Sequence, residues 1–230
     1  MLSCVNTIKC TDSNGRLDGP IVEICVGKQP HQKIFSVHQG LIAPRSEFFE
    51  RAFNGNWKEA ESRLVNLPED DATIFSLYVQ LLYTGKILTQ DDDGEFNKLC
   101  QLYVLCEKLQ DTDAKNEILQ AMLATIRGGM PSWAPGLLAL KTIYRGTPDN
   151  SPARRLLLDI FVERGNYSCV AVHIQHGFYL PEFISDLTVQ LLKQRSFIRS
   201  ETLANCNVGK YQEEVKESAK GKESDKEVEK

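Results

Sequence analysis

The apolar spacing of this chain changes period near His38, and that change restricts what it can fold into. Before it, Ile21-Val-Glu-Ile-Cys-Val26 is a β-branched run introduced by the turn residues Asp18-Gly19-Pro20, and Lys33-Ile-Phe-Ser-Val37 alternates polar with apolar residues. The two runs, separated by Gly27 to His31, predict a hairpin with one buried face. After it, apolar residues recur three and four apart, interrupted by a single further strand signal, Leu64-Val65-Asn66-Leu67, which Pro68 stops. A short sheet combined with a long series of helices means an α+β, mostly helical fold.

Leu41 and Ile42 begin the helical part, and Ser46 is a candidate N-cap for a segment that places Phe48, Phe49, Ala52 and Phe53 at helical spacing. Asn54-Gly55 ends that segment. The clearest helix follows Asp70 and Asp71, either of which can cap it. Ile74, Leu77, Tyr78, Leu81 and Leu82 line one face, and Thr84-Gly85 closes it. Two more stripes follow, one from Phe96 through Leu99, Cys100, Leu102, Tyr103 and Cys106 to Leu109, the other through Ile118, Leu119, Met122, Leu123 and Ile126. Gly128-Gly129-Met130-Pro131 breaks the pattern and marks a domain boundary.

Beyond the break, Leu137, Leu138, Leu140, Ile143 and Tyr144 predict a short helix. Ser151-Pro152, an N-cap followed by proline at the first helical position, opens another helix carrying Leu156, Leu157, Ile160 and Phe161. A last helix is expected from Pro181, burying Phe183, Ile184, Leu187, Leu191 and Leu192. From about Gly209 the chain alternates Lys and Glu with almost nothing apolar, a composition that cannot offset the entropy of ordering and is expected to be disordered.

Composition narrows the function classes. The net charge of −4 supplies no global field for a phosphate backbone, so direct nucleic-acid binding is not expected. No apolar run approaches the ~20 residues of a membrane span, and the N-terminus lacks the basic start and apolar centre of a secretory signal. An intracellular protein, cytoplasmic and/or nuclear, is expected. The seven cysteines are odd in number and contain no CxxC pair, which argues against a disulfide framework or zinc knuckle and for small buried apolar residues. There is no repeat of a Kelch, ankyrin or leucine-rich kind.

Catalytic chemistry finds little to stand on. Cys169, His173 and His176 would share one helical face and could meet a metal, but no fourth ligand lies nearby and Gly177 follows at once. Cys100 and Cys106 sit inside apolar stripes, where burial disfavours the thiolate. The acidic runs Glu69-Asp70-Asp71 and Asp91-Asp92-Asp93 lack the alternating ligands of a calcium loop, and no phosphate-binding glycine loop or nucleophile elbow is present. No enzyme activity, cofactor or metal is expected, a small thiol or metal enzyme centred on Cys169, His173 and His176 being the less favoured alternative. Trp57, in the polar connector Asn54-Gly-Asn-Trp-Lys-Glu59, either packs on its own domain or is offered to a partner as an anchor.

Taken in order, these residues resemble the BTB/POZ family, in particular fungal-type members with a helical C-terminal extension. Phe35-x-Val-His38-x2-Leu41-Ile-Ala43-x2-Ser46-x2-Phe49 is similar to the family's hairpin and first helices. Leu67-Pro-Glu-Asp-Asp71, Phe75 and Leu82-Tyr-Thr-Gly85 are similar to its next block, and Leu102-Tyr-Val-Leu-Cys106-x-Lys-Leu109 with Lys115-Asn116 to its third. The later segments around Pro148 to Leu157 and Leu180-Pro-Glu-Phe183 resemble the fungal-type extension.

The resemblance implies a cluster of helices flanked by a short sheet over residues 18–127, after a flexible N-terminus of 1–17. A helical extension would follow over 131–204, and a disordered charged tail over 205–230. It further implies a non-enzymatic scaffold or adaptor that works by dimerisation and protein docking, possible roles being a substrate adaptor in a cullin-3 ubiquitin ligase complex or the oligomerisation domain of a transcriptional regulatory complex. Trp57-Lys58-Glu59 falls where cullin adaptors carry a hydrophobic-x-Glu motif, and Tyr83 is expected on the same face, so Trp57, Glu59 and Tyr83 form the implied contact surface. His38, Ser46 and Phe49 are implied to be structural signature residues, Phe49 in the core and the other two satisfying backbone groups at helix ends. The N-terminal 17 residues are less apolar than the segment exchanged in the family's most durable dimers, and Gln39 stands near where many relatives carry an acid.

Overall fold

The computed structural model describes residues 17, 19–54, 62–88, 94–128, 135–165, 174, 177 and 179–194. Residues up to Leu192 belong to one compact unit, and of the second unit, 193–230, only the last residues of a helix are described. The expectations for a flexible N-terminus and a disordered tail, and the positions Trp57, Glu59, Cys169, His173 and His176, lie outside the described residues.

The sheet is built around β1 (Ile21–Val26), which pairs antiparallel with β2 (Lys33–His38) and parallel with β3 (Leu64–Leu67). The central strand buries Val22, Ile24 and Val26 on its core face while Ile21 and Glu23 stay exposed, and Cys25, on the opposite face, is buried as well. Gly27 turns out of β1 at φ 85°, a conformation that strains a residue with a Cβ.

Short α1 (Gln39–Ile42) and α2 (Glu47–Asn54) follow the hairpin and bury Ile42, Phe49 and Phe53. Then come α3 (Ala72–Thr84), α4 (Glu95–Leu109) and α5 (Thr112–Arg127), and later α6 (Leu137–Gly146), α7 (Pro152–Arg164) and α8 (Pro181–Gln194). Asp71 caps α3 by accepting from the amides of Thr73 and Ile74, and Gly85 ends it in the left-handed conformation at φ 64°. Ser151 caps α7 by accepting from the Arg154 amide, and Pro152 fills the first turn.

The main core joins the inner sheet face, α2, α3, α4 and α5, with Tyr78, Tyr103, Phe49 and Phe75 among its fully buried side chains. It runs on into Ala139 and Ile143 of α6 and Ala153, Leu157 and Ile160 of α7. The approach of α6 to α4 is close enough that a Cβ at Gly146 would overlap the Val104 side chain. A smaller cluster of Leu140, Tyr144, Phe161, Tyr179, Phe183 and Leu187 seats the first turns of α8. Past Leu187 the expected burial stops. Val189, Leu191 and Leu192 are exposed, because that cluster reaches no further along the helix.

Candidate functional site

Of the implied contact residues, the structure describes Tyr83, in the last turn of α3 and 37% exposed. Its hydroxyl oxygen lies 2.7 Å from Nδ1 of His38 and accepts from the His38 backbone N–H at 3.1 Å. The two rings meet edge to face with centroids 5.9 Å apart. His38 ends β2, where it faces Ile21 across the ladder, and Ile21 is itself exposed. The side chain of His38 does not cap α1, the role the resemblance implies for it, but is committed to Tyr83. The result is an aromatic held rigidly at the surface beside an imidazole and an aliphatic side chain. Rigid aromatic contact area loses little conformational freedom on binding.

Ser46 does serve helix ends, two at once. Its hydroxyl accepts from the Phe49 amide at the start of α2 and donates to the Leu109 carbonyl at the end of α4, at 2.5 Å. Phe49 is fully buried and packs against Phe48 and Phe53.

Beside Ser46 stands a polar node that periodicity did not single out. Asp111, fully buried, caps α5 through the Ala114 amide at 2.8 Å, receives the Tyr78 hydroxyl at 3.0 Å and faces Arg45 Nε at 3.4 Å. Arg45 also reaches Glu117 at 3.5 Å. Burial alone would lower the Arg45 pKa, but Asp111 and Glu117 outweigh it and hold the guanidinium above its ordinary value. Burial, reinforced by Asp111, pushes the Tyr78 hydroxyl far up, so it stays a donor. Burial raises Glu117 too, with Arg45 opposing. The node ties the α1–α2 joint, α3 and the start of α5 together, while Ser46 adds the end of α4. It is structural: Arg45 pairs with Asp111, Asp113 and one oxygen of Glu117, whose other oxygen, Oε2, is buried without a hydrogen-bond partner among the described residues.

No group of side chains suited to a metal occurs among the described residues. Burial pushes the Cys100 and Cys106 thiols up, which suppresses the reactive thiolate. The cleft between the β1–β2 turn and the β3–α3 turn contains Lys28 paired with Glu69, and Asp71, which is occupied as a cap. Among the described residues no helix is long and apolar enough to cross a membrane.

The sheet order, the helices that follow it and the Ser46 and Asp71 caps stand where residues 22–125 match the family model of the BTB/POZ domain. This segment is a BTB/POZ domain. Curated proteins similar to the chain include Kelch repeat and BTB domain-containing protein 4 of Mus musculus, 24% identical over 131 residues, which are 54% of this chain and 24% of that protein. The proteins of the same name from Pongo abelii and Homo sapiens are each 23% identical over 131 residues, with the same coverage. The chain therefore spans about a quarter of the length of the curated relatives it matches. The BTB/POZ domain is a protein-interaction module, and that is the activity this part of the chain supports.

Proposed function

We propose that the chain is an adaptor whose BTB/POZ domain docks a cullin-3 scaffold and self-associates, inside the cell, in the cytoplasm or nucleus. The observation that carries the proposal is the exposed Tyr83, fixed by two hydrogen-bonding groups of His38 at the end of α3, in a fold whose known use is protein binding. The Trp57-Lys58-Glu59 motif supports it from sequence, because it falls between the residues of α2 and β3 in chain order, where cullin adaptors carry a hydrophobic-x-Glu contact. In this reading the region over residues 131–204 is the helical extension of fungal-type members and offers a second docking surface.

Calorimetric titration of the chain with the N-terminal domain of a cullin-3 tests the contact surface. Trp57→Ala and Tyr83→Ala, each with an unchanged circular dichroism spectrum, are expected to weaken binding by about 2 kcal/mol or more, as anchors of this kind do. Equal affinity of both variants and the parent chain removes this surface.

A further inference from the structure

We infer that Tyr83 is a positioning residue that selects, for the neutral ring of His38, the tautomer with its proton on Nε2, so that the surface offers a partner an N–H donor beside the phenol. The inference deepens the reading of this region as a contact surface and rests on it for its purpose, but not for its chemistry.

The phenol oxygen of Tyr83 already accepts the backbone N–H of His38 at 3.1 Å. With that acceptor capacity engaged, the hydroxyl proton is best placed toward the remaining neighbour, Nδ1 of the same residue, 2.7 Å away. A ring nitrogen that accepts cannot carry the proton of a neutral imidazole, so the proton sits on Nε2. Backbone and side chain of His38 thus grip one oxygen from opposite roles, the amide giving and the ring receiving. The edge-to-face packing of the two rings, 66° between planes, holds the imidazole in that orientation.

Among the described residues no hydrogen-bond partner meets Nε2. Among the described residues that donor is unspent, on a half-buried residue at the end of β2, flanked across the ladder by the exposed Ile21. A neutral N–H next to an aliphatic side chain and a phenol edge suits an uncharged acceptor, the backbone carbonyl of a docked polypeptide, since pairing with a neutral oxygen avoids stripping water from an ion. The hydroxyl of Tyr83, by contrast, has no donor left to give. Tyr83 contributes ring area to the contact, and His38 contributes the hydrogen bond.

Histidine ring nitrogen NMR of the full chain, at a pH well above the ordinary histidine range, reads the tautomer directly, with the His38 signals assigned by their loss in His38→Gln. The expected spectrum shows Nδ1 as a bare nitrogen and Nε2 as the protonated one. In Tyr83→Phe, which keeps the ring, both resonances are expected to move toward the averaged positions of an unconstrained imidazole. A proton on Nδ1 in the parent chain overturns the inference, and so does an Nε2–H tautomer that Tyr83→Phe leaves unchanged. Because the readout needs no partner, a chain that shows the expected tautomer and ignores the cullin sinks the proposed partner and leaves this assignment standing.

Discussion

The two halves of the described structure hold themselves together by different means. From the hairpin to α5, a broad core of sheet residues and three long helices is cross-tied by the Arg45–Asp111–Tyr78 node and by Ser46, polar side chains contributed by three separate segments. Around the α6–α7 turn and α8 a small, aromatic-rich cluster stands beside the stretch of main core that α6 and α7 share, and the most connected polar side chain is Arg154. Arg154, 8% exposed, donates to the carbonyls of Tyr144 at 2.7 Å and Thr147 at 2.5 Å, pairs with Asp149 at 2.6 Å and lies 4.6 Å over the Tyr144 ring. Ties spread over a broad core make the loss of any apolar anchor a global event, whereas a small cluster gathered around one buried guanidinium makes its loss local. The difference assigns rigidity to the part that carries Tyr83 and lower local stability to the part that follows it.

Phe49→Ala sets the upper end of that contrast. Emptying a fully buried aromatic site is expected to cost about 3 to 5 kcal/mol in denaturant unfolding, with protection lost from the sheet and α2 through α5 together. If protection falls in α2 alone, the core is not one cooperative unit. Arg154→Ala comes next: with two carbonyls and a buried cap network left short of their donor, about 2 to 3 kcal/mol is expected. Hydrogen exchange should accelerate in α6 and α7 while α3 and α4 amides keep their protection, and a uniform acceleration would erase the distinction between the halves.

Ser46→Ala probes the ties of the first half at lower cost. Losing an N-cap and the bond to Leu109 is expected to destabilise by about 1 to 2 kcal/mol, read as a shift in denaturant midpoint with an unchanged slope.

The smallest effect concerns Glu117. Its folded-state pKa is raised, first by burial, so the native state holds this proton more tightly than the unfolded chain does. The ionised residue therefore carries a penalty at neutral pH. That penalty is relieved as pH falls through the raised value toward the ordinary carboxylate range. Glu117→Gln should flatten this part of the stability–pH curve, and a curve identical to the parent's would show that Arg45 already cancels the burial cost.

Legibility in the sequence followed the range of the interaction. The hairpin, β3, the Asp71 and Ser151 caps and the helix stripes are all local patterns, with cause and consequence within a few residues, and the structure has them at Ile21–His38, Leu64–Leu67 and Ala72–Arg127. The parallel pairing of β3 with β1 is not local, and neither is the node: Tyr78 and Asp111 are 33 residues apart, Arg45 and Asp111 are 66. Asp111 reads as one more acidic residue before a helix, and Tyr78 as one more stripe position, until the fold brings them together. The exposed Leu191 and Leu192 show the converse, since an apolar stripe states that a face could be buried but not that something covers it. In the candidate site, Tyr83 is visible only through the family resemblance, and the same resemblance implies a helix-end role for its partner His38, 45 residues away, not the bond the fold makes.

Light scattering of the full chain, alone and mixed with the N-terminal domain of a cullin-3, tests the adaptor account most directly, because it reports self-association and docking in one experiment. The account predicts a dimer that shifts to a larger complex on mixing, and a shift that disappears with Tyr83→Ala. A monomer whose mass is unchanged by the cullin would contradict it.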